Sequence, residues 1–205
     1  MPCHIESQVP GDVDGLFSVV REAVMDLHDR AEYHSPLSRV RDKTAGLEEY
    51  RDALARLHGF VAPAERTVGR ALEGLMELSS RRRLSHLEDD LLFLGLSRAE
   101  IDALPRCESL PTMNEPSEAL GVLYILEGSR LGGKVLAAAT RESLGLAGRG
   151  CAYFDSAGAD VAPMWRSFRR EAAGLLPDAG HRRRFVDSAR RGFELVNDWL
   201  GGTSG

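Results

Sequence analysis

The chain has 205 residues, of which 43% are hydrophobic and 28% are charged, and its formal net charge is -5. These values are typical of a globular protein with a hydrophobic core, and the acidic balance argues against a dedicated nucleic-acid binder. No apolar run reaches the roughly 18 residues that a membrane span requires, so no membrane partner is expected.

The first residues indicate the compartment. The segment MPCHIESQVPGD lacks the charged and apolar regions of a signal peptide. The cysteines, Cys3, Cys107 and Cys151, are too few and too scattered for a disulfide framework. We therefore predict a cytoplasmic protein with a flexible tail over residues 1–11 and a single domain over residues 12–205.

The N-terminal half predicts helices separated by short breaks. Asp12 or Asp14 is a candidate cap for a helix whose apolar residues recur at helical spacing until Pro36. A second long pattern starts near Leu47, and Pro63 inside it indicates either a kink or a new start.

Two short helices follow these long patterns. Ser85 begins the first and Gly95 ends it, and the second has Ser97 as its cap with Glu100 at the capping-box position. The segment PRCESLPTMNEP, which comes next, predicts a loop.

A long helix is predicted from Pro116 to near Gly145, followed by an irregular glycine-rich segment and two amphipathic helices over 161–176 and 181–200. No segment alternates like a strand, and no repeat of fixed period is present. We predict an all-α, single-domain bundle of about seven to eight helices.

The segment ILEGSRLGGKV looks like a phosphate-binding loop, because Gly128 precedes Gly133 and Lys134 at the required spacing. Val135 stands where that loop needs a serine or threonine for Mg²⁺. No other segment supplies the neighbouring strands of a parallel sheet. We therefore interpret the segment as part of the long helix.

Three glycines then lie inside a helix, and each costs up to about 1 kcal/mol relative to alanine. Helical spacing places Gly121, Ile125, Gly128 and Gly132 on one face, with Gly133 beside it. A face without side chains admits another surface close to the backbone. The spacing allows two interpretations, a tightly crossing neighbour helix or a flat ligand.

One histidine lies on an apolar stripe. His28 follows Val20 and Val24 on the first helix and precedes Ala31, while Glu32 is one turn later. A carboxylate there would orient the imidazole ring and raise its basicity, as partners of metal-bound histidines do. A histidine in the core or at its boundary, with no ligand role, is the alternative.

The two features together resemble one family. The segments VREAVMDLHDRAEYHSPLSRV and LEEYRDALARLHGFVAPAE are similar to the start of heme oxygenases, and YILEGSRLGGKVL resembles the distal helix of that family. MWRSFRREAAGL and GFELVNDWL correspond to its last two helices. The resemblance covers roughly residues 14–200, and the glycine segment is most like bacterial members associated with bacteriophytochromes.

The resemblance implies roles for five residues. His28 is the expected proximal iron ligand and Glu32 its partner. Gly128, Ser129 and Gly132 are the expected catalytic segment, where backbone groups and ordered water donate hydrogen bonds to dioxygen. Ser129 stands where mammalian members have an aspartate, which leaves proton delivery to water and backbone.

The resemblance also implies contacts around the heme. Arg21, Arg166 and Arg170 are the expected partners of the propionates, although each also suits a solvated surface. Gly133 and Phe193 are expected to contact heme, and Phe193 suits the core equally well.

The implied activity is cleavage of heme to biliverdin, carbon monoxide and ferrous iron, with dioxygen and electrons from an external donor such as a ferredoxin or reductase. A bacteriophytochrome is the implied recipient of the bilin. The clusters Arg81–Arg83 and Arg182–Arg184 could dock an acidic donor or simply form solvated helix faces. A heme carrier or sensor, or a scaffold without heme, is the alternative function.

Overall fold

A computed structural model describes residues 9–146, 149–156 and 160–201 of the chain. Within these ranges the secondary structure is entirely helical, and no helix is long and apolar enough to cross a membrane. A 3-10 turn covers Ser79–Arg81. The α-helices are α1 (Val13–His34), α2 (Pro36–Arg41), α3 (Leu47–Ala71), α4 (Leu84–Phe93), α5 (Arg98–Asp102), α6 (Pro116–Leu144), α7 (Ala152–Asp155), α8 (Val161–Gly174) and α9 (Ala179–Gly201).

The all-α prediction is confirmed, but the described residues contain more helices than the seven or eight predicted, because two short ones were missed. Helix α2 begins at Pro36, which the prediction treated as a break, since a proline is well tolerated in the first turn. Helix α7 lies in the segment predicted to be irregular. The buried Asp90 carboxylate accepts hydrogen bonds from the first two amides of α7, at 2.8 Å each, which stabilises that short helix.

Several predicted helix ends are confirmed. Asp12 Oδ1 accepts a hydrogen bond from the Gly15 amide at 2.7 Å, and Ser97 and Glu100 form the reciprocal capping box. Gly145 ends α6 in the left-handed conformation. Pro63 lies inside the single helix α3, so no new helix starts there. The tail predicted over residues 1–11 lies mostly outside the described residues.

One part of the core forms between α1, α6, α8 and α9. Helices α1 and α6 both have extensive contacts with α9. Five rings make a connected aromatic cluster between these four helices, with centroid separations of 5.5–6.1 Å. These residues are Phe17, Tyr124, Trp165, Phe168 and Phe185. The cluster fixes the first half of α1 against the first half of α6.

Gly121 lies at the crossing of α6 and α9. A Cβ atom added there would lie 2.6 Å from the Ala189 nitrogen and 2.8 Å from the Phe185 carbonyl oxygen. Backbone atoms cannot move aside as a flexible side chain can. At this end of α6, the tightly crossing neighbour helix is therefore the correct interpretation.

Gly121→Ala is expected to lower the free energy of unfolding by about 1–3 kcal/mol, because the added methyl group overpacks the α6–α9 crossing. Urea denaturation followed by circular dichroism measures this change. Gly174→Ala is the matched control, since a Cβ at Gly174 has no neighbour within 4 Å. Equal stability of the two variants would contradict the close approach at Gly121.

Asp178→Ala is expected to lower the melting temperature by about 2–4 °C. Asp178 Oδ1 accepts the His181 amide hydrogen bond at 2.9 Å and caps α9, and this contact lowers the pKa of the Asp178 carboxyl to about 2. Because the folded pKa lies below the model-peptide value, the stabilisation is present above about pH 4 and is lost as the pH falls toward 2. The difference between variant and wild type should therefore shrink as the pH falls through 2. Asp187→Ala, at an exposed position of α9, should leave the melting temperature unchanged.

Candidate functional site

His28 is an accessible histidine in the second half of α1. Its side chain is 58% exposed, and its Nδ1 atom lies 3.8 Å from carboxylate oxygens of Asp29 and Glu32. The ring lies beside Phe193 of α9, with 6.1 Å between centroids. The carboxylates lie on the Nδ1 side, which leaves Nε2 free to bind a ligand. This histidine is not a core residue, whereas Val20, Val24 and Leu27 on the same helix are buried.

The second half of α6 has an exposed apolar stripe at positions i, i+3, i+4 and i+7, consisting of Gly128, Leu131, Gly132 and Val135. Leu131 is 48% exposed and Val135 is 58% exposed. A Cβ atom added at Gly128 or Gly132 would have no neighbour within 4 Å. A globular protein normally buries such a stripe, so a bound apolar surface is the simplest reason for leaving it open.

One turn of α9 connects the histidine to this stripe. Phe193 packs against the His28 ring. The adjacent residue, Gly192, lies so close to Ile125 of α6 that an added Cβ would be 2.5 Å from its Cδ1 atom. Ile125 precedes Gly128 by three residues, so α9 holds the His28 turn of α1 and the Gly128 turn of α6 in the same part of the molecule.

Gly133 does not belong to the open stripe. It is buried against α7, where an added Cβ would lie 2.6 Å from the Phe154 carbonyl oxygen. The heme contact predicted for Gly133 is therefore replaced by a packing role. Gly121 is likewise covered by α9, and of the glycine face only Gly128 and Gly132 are free. The helical period cannot tell these cases apart, because it does not show which parts of α6 are covered.

Three arginines predicted as anion partners are exposed: Arg21 on α1, and Arg166 and Arg170 on α8. Within the described ranges none of them forms an ion pair. Arg169, which lies between the α8 pair, is instead held by Asp14 at 2.6 Å. Arg21 and Arg169 both lie close enough to Tyr124 to lower its pKa, although burial raises it overall. Of the three free arginines, Arg21 therefore borders the aromatic cluster.

Ser129 follows the first open glycine and has two partners. Its hydroxyl donates to the Leu126 carbonyl at 2.8 Å, and its oxygen accepts a hydrogen bond from Arg83 Nη2 at 2.6 Å. Arg83 is only 3% exposed and also donates to the Leu126 carbonyl. Sequence reasoning missed this contact, because 46 residues separate its two partners.

Both interpretations of the arginine clusters, a docking surface and a solvated helix face, are wrong for Arg81 and Arg83. Arg81 and Arg83 are buried, and Arg81 pairs with Glu127 and Glu171 at 3.0 and 2.9 Å. Arg182 donates to main-chain carbonyls. Arg184 pairs with Glu115 at 2.6 Å. A run of arginines suggested a solvated surface, but the groups that bind Arg81, Arg83 and Arg184 come from distant parts of the chain.

The site has what a planar metal-containing ligand requires. His28 offers a free imidazole nitrogen, α6 offers an open apolar stripe with two bare backbone positions, and the unpaired arginines suit anionic substituents. Heme combines iron, a flat apolar macrocycle and two carboxylates, so these residues fit heme.

Comparison with known proteins identifies the family. The family model described as heme oxygenase matches residues 15–201. A protein named heme oxygenase from Xanthomonas campestris pv. campestris is 30% identical over 148 residues, which cover 71% of this chain and 85% of that protein. The chain belongs to the heme oxygenase family, and the family identifies it as an enzyme that degrades heme.

Solved structures share the fold. A heme oxygenase from Leptospira interrogans superposes with a TM-score of 0.78 at 17% identity, covering 91% of this chain and 98% of the other. Heme oxygenase-1 from the cyanobacterium Synechocystis, solved in complex with heme, superposes with a TM-score of 0.72 at 20% identity and covers 90% of each chain. At these identities the likeness concerns the fold.

Proposed function

We propose that the protein cleaves heme to biliverdin, carbon monoxide and ferrous iron, using dioxygen and electrons from an external donor. The observation that carries this proposal is the open apolar stripe of α6, held by one turn of α9 next to an accessible histidine. Family membership supports heme degradation, and the stripe explains why Gly128 and Gly132 remain without side chains.

His28 would bind the iron through Nε2, and its Nδ1–H group would donate a hydrogen bond to the Glu32 carboxylate. A carboxylate on that side keeps the neutral ring in the tautomer that leaves Nε2 unprotonated. His28 is exposed before the ligand binds, so a bound macrocycle would cover it together with Phe193. In this proposal Phe193 is both a core residue and the support of the ring.

Arg21, Arg166 and Arg170 would bind the two propionates. Exposed guanidinium groups without a protein carboxylate retain their full capacity for charge-assisted hydrogen bonds to an anion. These arginines would orient the macrocycle in its plane, and this orientation decides which ring carbon lies over the reactive position.

The Gly128–Gly132 face of α6 would act through backbone groups and ordered water. When bound, heme supplies the iron at which dioxygen is activated. Gly128 and Gly132 admit the macrocycle close to the helix backbone, and Ser129 offers the one hydroxyl at the edge of the stripe. Leu131 and Val135 would exclude bulk water from the same face. These roles need no carboxylate, which agrees with the presence of Ser129 instead of an aspartate after Gly128.

The remaining partners follow from the chemistry. Oxidative ring opening consumes electrons, so a ferredoxin or a reductase is required, and a bacteriophytochrome is a fitting acceptor of the bilin. We assign the reaction to the cytoplasm, since Cys107 and Cys151 are free thiols and fit a reducing compartment.

Spectroscopy of the purified protein tests the proposal. Adding hemin should produce a Soret band, and adding a reductant in air should convert it into a biliverdin spectrum. A Soret band that persists under these conditions would favour a carrier or sensor on the same fold. Absence of a specific Soret band would overturn the whole proposal.

A further inference from the structure

Arg83 is a buried cation whose donors point toward the heme-facing part of α6. Its Nη2 atom donates hydrogen bonds to the Leu126 carbonyl and to Ser129 Oγ, each at 2.6 Å. Its Nη1 atom lies 3.5 Å from the Tyr153 carbonyl oxygen, and the guanidinium carbon stacks 4.3 Å from the centroid of the Tyr153 ring. These four contacts fix the guanidinium plane.

The surroundings hold Arg83 rigidly. Its own amide donates to Glu65 Oε1 of α3 at 2.7 Å, and the Tyr153 amide is bound by the buried Asp90 carboxylate. Within the described ranges the guanidinium has no carboxylate as a direct partner, although Glu65 lies close enough for the Arg83 charge to lower its pKa against the larger, opposite effect of burial. Arg83 is thus a permanent positive charge committed to a hydroxyl and to carbonyls.

The contacts of Ser129 decide what its hydroxyl can still do. A serine hydroxyl has one donor and two acceptor sites. The donor is used by Leu126 and one acceptor by Arg83. One lone pair is left, on an exposed residue between the two open glycines. Locked in this way, the hydroxyl can accept a hydrogen bond from water but cannot readily donate one.

We propose that Arg83 is a positioning residue for heme degradation, which locks Ser129 so that its free lone pair binds and orients an ordered water at the Gly128–Gly132 face. Arg83 also pins the Leu126 carbonyl, and thereby the helical turn that carries Gly128. The arrangement supplies a fixed polar group where a carboxylate is absent. This inference rests on the proposed function, because it assigns the water to the heme site.

Three variants test the inference: Ser129→Ala, Arg83→Lys and their combination. Lysine keeps the charge but cannot reproduce the planar fork. We expect each single variant to bind hemin, to lose turnover by about tenfold, and to shift the pH midpoint of the acid–alkaline spectral transition of the ferric complex in the same direction. The double variant should lose no more turnover than either single variant, because both changes remove the same Arg83–Ser129 interaction.

Arg130→Lys is the matched control. Arg130 is the residue next to Ser129 and is equally buried, but it binds Glu127 and the Arg81 carbonyl instead. The control should keep both turnover and the spectral midpoint, even where its melting temperature falls. The midpoint also reflects other charged groups near Arg83, namely Glu65 of α3 and Arg130 of α6, and these are unchanged in Ser129→Ala.

Two results would overturn the inference. One is a Ser129→Ala protein with wild-type turnover and midpoint, and the other is additive loss in the double variant. If the wild type binds hemin without degrading it, the proposed activity fails, yet the midpoints still report whether Arg83 acts through Ser129.

Discussion

His28→Ala is expected to abolish heme degradation while leaving the fold intact. The side chain is largely exposed and donates no hydrogen bond to another helix in the described part of the chain. Its removal should change the free energy of unfolding by no more than about 0.5 kcal/mol, as for other surface substitutions. The hemin complex should lose the Soret position and intensity of a histidine-ligated heme, and biliverdin formation should fall to the level of free hemin.

Imidazole and a neighbouring histidine provide the controls. Imidazole added to His28→Ala should restore part of the Soret spectrum, because the small ligand can enter the space left by the side chain. His34→Ala alters an exposed histidine at the end of the same helix and should behave like the wild type. If His28→Ala retained the wild-type spectrum and turnover, His28 would not be the iron ligand.

Gly132→Leu is the second change for which we expect a large effect. A Cβ at this position has open space within 4 Å, so the apoprotein should accept leucine without overpacking. The side chain would project from the exposed stripe and keep a flat ligand away from the α6 backbone. We expect turnover to fall about a hundredfold or more, since displacement of a reacting group by about 1 Å has effects of that size.

Stability measurements separate blocking from unfolding. Gly128→Ala and Gly132→Ala should each raise the free energy of unfolding of the apoprotein by up to about 1 kcal/mol, because alanine favours helix and nothing opposes its methyl group. Gly133→Ala should lower it, because the methyl group would meet the Phe154 carbonyl. A Gly132→Leu protein with normal turnover would show that heme binds elsewhere.

Much of the fold could be predicted from local sequence patterns. Asp12, Ser97 and Gly145 act within one turn of their positions, so the helix ends that they define can be recognised from the sequence. Helices α2 and α7 were missed because their stability depends on context: α7 needs the Asp90 carboxylate, which lies more than 60 residues earlier.

The candidate site could be predicted only in part, for a physical reason. The resemblance suggested His28 and the glycine segment as site residues, and their spacing predicted the helix faces on which they lie. The sequence could not show that Gly121 and Gly133 contact other helices while Gly128 and Gly132 are open. Which positions of α6 a neighbouring helix covers depends on tertiary packing. For the same reason Arg83, whose buried guanidinium group donates to Leu126 and Ser129, was mistaken for part of a charged surface.

The direct test of the central claim is product stoichiometry for the wild-type protein. One sample of the hemin complex, supplied with dioxygen and a reductant, is analysed together for heme lost, biliverdin, carbon monoxide and ferrous iron captured by a chelator. We predict that the three products form in equal amounts, each matching the heme consumed. Loss of heme without matching biliverdin and carbon monoxide, or no loss of heme at all, would contradict the account.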